Sequence, residues 1–91
     1  MIYYEAKNFP EEGLEATGED VTVHVPKGTP WRTYELYGDE GGSITVKGDG
    51  DGNAFRSGAG NGKAERTGSG YGHALRDGSG KGNAYINGVK Q

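Results

Sequence analysis

Ninety-one residues, 31% of them hydrophobic and 19 of them glycine, allow one small domain and leave little material for a conventional core. The absence of cysteine excludes disulfides and thiolate metal sites, and no apolar run approaches the roughly 18–20 residues of a membrane span. The net charge is −3, and the opening MIYYEAKNFPEE lacks the basic and apolar regions of a signal peptide, so a cytoplasmic protein without a membrane partner is the expectation.

In chain order, Ile2 to Ala6 is the first expected strand, rich in β-favouring Ile and Tyr. Pro10-Glu11-Glu12 suits a short helical turn with Asn8 as its cap, which Gly13 and Gly18 keep brief. Val21, Val23 and Val25 share one face of a second strand that ends at Pro26. Trp31 to Tyr37 forms a third, followed by the turn Gly38-Asp39-Glu40-Gly41-Gly42. Ser43 to Lys47 places Ile44 and Val46 on one side. Tyr3, Tyr4, Trp31, Tyr34 and Tyr37 are the expected core anchors, since aromatics bury much area per residue. Residues 1–47 thus read as a small, compact antiparallel β unit.

From Gly48 the chain counts in tens: GDGDGNAFRS, GAGNGKAERT, GSGYGHALRD, GSGKGNAYIN. Positions one, three and five are always glycine, and position seven is Ala54, Ala64, Ala74 and Ala84. Position nine is Arg56, Arg66, Arg76 and finally Ile86. A fixed period requires a repeating backbone. Ten is even, so every unit keeps the parity of Ile44 and Val46, and the even face carries mostly glycine and alanine. Odd positions carry the variety, including Phe55, Lys63, Tyr71, His73, Leu75 and Tyr85.

Glycine costs about 0.5–1 kcal/mol per ordered position relative to alanine, which close approach of another backbone can offset. A flexible glycine-rich tail would need no alanine or arginine at fixed positions. Residues 48–91 are therefore expected to be an ordered repetitive β-sheet or β-solenoid, continuous with the first half. In the solenoid each ten-residue unit is expected to form one coil of two short strands. In the competing meander, GxGxG segments are turns between strands. Strict alternation favours stacking.

Arg56, Arg66 and Arg76 are the sharpest candidate site. Stacked, they would form a guanidinium ladder along one edge, able to grip phosphates or carboxylates. The structural alternative has them capping carbonyls or pairing with acids. Asp49, Asp51 and Asn53 begin like an EF-hand loop, but Ala54 and Gly60 stand where its glycine and closing glutamate belong. Gly58 to Lys63 fails as a phosphate loop, because Ala64 replaces the magnesium-holding hydroxyl. His24 and His73 are the only histidines, and His73 occupies a variable repeat position. No catalytic constellation, metal site or cofactor is expected.

The GxGxGxAxRx decapeptide over residues 48–88 resembles the glycine-rich repeats of small phage and prophage proteins. That resemblance implies a non-enzymatic inhibitor of host defence machinery, such as an anti-CRISPR protein, acting in the host cytoplasm on a nucleoprotein complex. The expected function is protein binding by surface occupation, with Arg56, Arg66, Arg76, Phe55, Tyr71, Leu75 and Tyr85 in contact. Charge is divided unevenly. Residues 1–47 carry nine acidic and four basic side chains, a balance of −5, and residues 48–91 carry four and six, a balance of +2. The acidic half would mimic nucleic-acid phosphates toward a basic cleft. Two alternatives stand beside this reading: nucleic-acid binding by the arginine ladder, with Tyr71 and Tyr85 stacking on bases, and an assembly element that self-associates through an open end.

Overall fold

The computed structural model describes every residue from Met1 to Gln91. Its strands are β1 (Ile2–Glu5), β2 (Leu14–Glu15), β3 (Val21–His24), β4 (Thr33–Tyr37), β5 (Ile44–Lys47), β6 (Asn53–Ser57), β7 (Ala64–Thr67), β8 (Ala74–Arg76), β9 (Ala84–Ile86) and β10 (Val89–Lys90). One 3-10 turn, Ala6–Asn8, is the only helical segment, and the turn expected at Pro10 is present as a single hydrogen-bonded turn, with Gly13 N donating to Pro10 O at 3.1 Å. The odd-numbered strands form one sheet, β1-β3-β5-β7-β9, with β10 added at its end. The even-numbered strands form a second, β2-β4-β6-β8. The chain visits the two sheets alternately, so the protein is an all-β solenoid of about four flattened coils, measuring 33 × 27 × 19 Å.

Two expectations change here. Pairing within the first half is parallel, Ile2 to Val21 and Val21 to Ile44, not antiparallel. Strands consecutive in the chain lie in opposite sheets, so each meets its neighbour only after a full circuit. The coil is also twice the expected length. Ile44 pairs with Ala64 and Ala64 with Ala84, while Tyr34 pairs with Ala54 and Ala54 with Ala74. Each decapeptide therefore supplies one strand and one corner, and stacked residues are 20 apart. Both sheets impose the same demands, so the sequence repeats at half the structural period.

From β4 onward the even positions face inward, whereas in β3 the odd ones do. Ile44, Val46, Ala54, Arg56, Ala64, Arg66, Ala74 and Ala84 are all buried between the sheets. The first coils fill this space with Val21, Val23, Val25, Tyr34 and Leu36, closed by Phe9. Phe9 meets Tyr4 and Tyr34 edge to face, with centroids 5.4 and 5.5 Å away. Of the expected aromatic anchors, Tyr34 is fully buried, whereas Tyr3 and Trp31 are mostly exposed. Tyr3 alternates with Ile2 and Tyr4, which pack against the core, and Trp31 precedes β4.

The GxGxG segments form the corners, and the corners explain the glycines. A Cβ at Gly60 would overlap Glu40 O of the preceding coil, and one at Gly72 would overlap Gly52 O. Backbone meets backbone with no room for a methyl group. The stacked coils are also tied by side chains that accept amides from the next coil. Asp51 Oδ1 accepts from Tyr71 N at 2.9 Å, Asn53 Oδ1 from His73 N at 2.8 Å, and Asn61 Oδ1 from Lys81 N at 2.9 Å. The D-x-D-x-N run is thus part of this ladder, with Asp49 accepting from Ser69 Oγ at 2.8 Å.

At the C-terminal end, Asn87 and Gly88 both adopt positive φ (48° and 81°). An Asn-Gly pair is suited to a tight hairpin turn. It folds β10 back antiparallel on β9, which closes that edge of the first sheet. No strand pairs with the outer edge of β8 in the second sheet.

Candidate functional site

The arginines at position nine stand on inward-facing positions of short strands, and their side chains run into the corners. Arg56 Nε donates to Gly42 O at 2.7 Å and Nη2 to Glu40 O at 2.6 Å, while Nη1 reaches the carbonyls of Leu36, Gly38 and Ser57. Arg76 repeats the pattern one coil on: Nε to Gly62 O at 2.8 Å, Nη2 to Gly60 O, and Nη1 to Arg56 O, Gly58 O and Asp77 O. Arg66, in the other sheet, donates to Val46 O, Gly48 O, Gly50 O and Thr67 O. In each case the guanidinium occupies the corner of the preceding coil, where alternate glycine-turn carbonyls point inward. The N–H donors of a planar fork match this arch of acceptors in Arg56 and Arg76, whereas the buried Nε of Arg66 has no partner.

The arginine ladder expected along one edge is therefore split. Arg56 and Arg76 stack in one column, Arg66 lies in the opposite sheet, and Arg56 and Arg66 are buried. Their aliphatic stems take the places that Leu36 and Val46 hold in earlier coils. Of the two roles considered for these residues, carbonyl capping is the one present. Desolvation lowers the pKa of both Arg56 and Arg66 from the ordinary guanidinium value. Arg56 is lowered further by the charge of Arg76, and the carboxylates of Asp51 and Asp49 act in the opposite direction on Arg66. A guanidinium titrates so far above neutrality that Arg56 and Arg66 remain charged.

Arg32, not singled out from the sequence, does the same work near the N-terminal end. Its Nη1 and Nη2 donate to Phe9 O at 3.2 Å and Pro10 O at 2.8 Å. Its Cζ lies 5.4 Å from the Phe9 ring centroid and 4.9 Å from that of Tyr34. All four arginines of the chain thus hold backbone carbonyls.

The other expected contact residues divide between surfaces. Phe55 and Leu75 are adjacent in register on the outer face of the second sheet. Leu75 is 50% exposed, and Tyr71, 81% exposed, stands on the corner that leads into β8. Tyr85 is on the outer face of the first sheet, where Lys63 Nζ lies 5.4 Å from its ring and 3.3 Å from Glu65 Oε1. Tyr71 also borders a shallow groove of about 570 Å³ with Lys27, Thr29, Asp49, Asp51 and Ser69. Phe55 and Leu75 therefore share the outer face of the second sheet, Tyr71 stands on the corner before β8, and Tyr85 lies on the opposite side. No helix is long and apolar enough to cross a membrane. No family model, curated protein or solved structure matches the chain.

Proposed function

We propose that the protein is a non-enzymatic binding module whose contact surface is the outer face of the second sheet, centred on Phe55 and Leu75 and extended by Tyr71. The observation that supports this reading is the contrast between the two faces of the repeat. Interior positions are fixed by backbone approach and carbonyl capping, while outward positions vary and pair half-buried Phe55 with exposed Leu75, with exposed Tyr71 on the corner that leads into β8. A rigid scaffold with a variable apolar patch suits protein recognition, in which aromatic anchors carry much of the energy.

The arginines are removed from this contact set because their donors are engaged by carbonyls. The nucleic-acid alternative loses its guanidinium ladder for the same reason, and the overall charge of −3 does not favour it. A host defence nucleoprotein complex, the partner class implied by the repeat's resemblance to phage proteins, is the first target to test. The test compares capture of such a complex by the unaltered protein and by Leu75→Asp with Tyr71→Ala. Both are exposed positions, so far-UV circular dichroism should be unchanged while capture falls at least tenfold. Equal capture by both proteins would refute the assigned surface.

A further inference from the structure

The carbonyl arches form a series, and the structure shows what fills them. The arch of Gly38, Glu40 and Gly42 holds the guanidinium of Arg56. Gly48 and Gly50 hold that of Arg66. Gly58, Gly60 and Gly62 hold that of Arg76. In every case the arginine belongs to the strand stacked on the next coil. The next arch, Gly68 to Gly72, lies beneath Ile86, and Asn87 Nδ2 donates to Gly68 O at 3.3 Å.

The last arch, Gly78 to Gly82, has no strand above it. β10 turns back on β9 in the other sheet and leaves the outer edge of β8 unpaired. Gly78 O, Gly80 O and Gly82 O accept no backbone or side-chain hydrogen bond. By the spacing that places Arg56 O and Gly58 O under Arg76 Nη1, Arg76 O would complete the set of acceptors. Asp77 stands beside the arch, its Oδ1 accepting from Gly78 N at 2.9 Å, and Lys81 is the cation of the corner itself. The Arg76 guanidinium lies one coil below, a separation that the column already accommodates between Arg56 and Arg76.

We propose that this open end is a guanidinium-binding site, formed by the carbonyls of Arg76, Gly78, Gly80 and Gly82. Its best ligand is an arginine carried on an extended segment that adds to the free edge of β8. Such a segment would gain main-chain hydrogen bonds by strand addition and place its guanidinium where Arg56 and Arg76 place theirs in the arches below. A second copy of this chain cannot supply the group, because all four of its arginines are engaged. The ligand is either a free guanidinium cation or an arginine carried on a segment outside these 91 residues. This end is distinct from the outer face of the second sheet, so the two assignments stand or fall separately.

The test keeps the protein unaltered and varies the guest. Amide resonances of the 15N-labelled protein are followed during titration with a peptide of the chain's own β6 sequence, Asn-Ala-Phe-Arg-Ser. Its citrulline counterpart, which is isosteric and uncharged, is titrated in parallel, as is guanidinium chloride at low millimolar concentration against potassium chloride. The arginine peptide should shift Ala74 to Gly82 and bind at least tenfold more tightly than the citrulline peptide, since charge-assisted hydrogen bonds are lost. Shifts of Gly78 to Gly82 with guanidinium chloride would support the site with the free cation as a sufficient ligand. Shifts with the arginine peptide alone would support it with strand-borne arginine as the source. No shift with either guest, or equal binding of the arginine and citrulline peptides, would overturn it.

Discussion

Replacing Arg56 by methionine isolates the guanidinium from the stem that carries it. Methionine keeps most of the apolar length, so packing between the sheets changes little. The carbonyls of Glu40 and Gly42 then lose their only hydrogen-bond donor, whereas Gly38 O keeps Gly60 N and Ser57 O keeps Gly38 N. Gly60, buried in the next coil, lies over the Glu40 carbonyl and limits replacement by water. Both hydrogen bonds are part-buried, so each orphaned carbonyl costs the lower part of the range of about 1–3 kcal/mol, and the substitution should destabilise by about 2–4 kcal/mol. A chain of this length has a total stability of about 5–14 kcal/mol. Even the lower bound corresponds to a fall in Tm of about 8–16 °C. Urea unfolding followed by far-UV circular dichroism measures the effect. Arg56→Lys should recover only part of it, since an ammonium cannot serve a fork of acceptors. Arg76→Met, at the half-exposed open end, should cost less than Arg56→Met. An Arg56→Met protein within about 0.5 kcal/mol of the unaltered one would refute the carbonyl-capping argument.

The same geometry predicts that Ile86→Arg is tolerated, because the arch of Gly68 to Gly72 lies beneath that position. Burying an arginine elsewhere would cost several kcal/mol, so a large fall in the urea midpoint would contradict the repeat logic. Coil length is tested with cysteine pairs, since the chain has no native cysteine to interfere. Cysteines at Phe55 and Leu75, register partners in the second sheet, should crosslink under mild oxidation. Cysteines at Phe55 and Glu65, on the outer faces of opposite sheets, should not, and the reverse pattern would restore a ten-residue coil. Hydrogen bonds from His24 and then Tyr3 hold the Glu5 carboxyl below its ordinary pKa, with His24 Nδ1 3.0 Å from Glu5 Oε1. A lowered folded-state value gives stability that is complete above the unfolded pKa of about 4.3 and is lost as pH falls through the folded value. Glu5→Gln should flatten the acid limb of a plot of urea midpoint against pH between 6 and 3, and an unchanged limb would remove Glu5 from that role.

What could be read from the residues, and what could not, follows from which groups carry sequence information. Strand parity was legible because Val21, Val23, Ile44 and Val46 alternate, and the even period carried that phase to Ala84. The need for close backbone approach was legible in the glycines, although these form corners and the strands between them are short Ala-x-Arg segments. Coil length was not legible, because two sheets with identical requirements halve the apparent period. The destination of the arginines was hidden for a different reason. Their acceptors are main-chain carbonyls, which every residue possesses and no sequence marks. The available signal was parity itself. Arg56, Arg66 and Arg76 share the inward phase of Ala54, Ala64 and Ala74, and an inward arginine in a core without buried acids must find backbone oxygens. Aromatic character marks Tyr3 and Trp31 as anchors, yet Tyr3 faces outward between Ile2 and Tyr4 and Trp31 precedes β4.

The carbonyl-capped interior is tested most directly by observing the arginine donors themselves. In an NMR experiment on the 15N,13C-labelled protein, Arg56 Nε–H should exchange slowly with water at neutral pH and show a cross-hydrogen-bond coupling to the Gly42 carbonyl carbon. Arg76 Nε–H should couple in the same way to Gly62. Rapid exchange of these protons at the rate of free arginine, with no such coupling, would contradict the account.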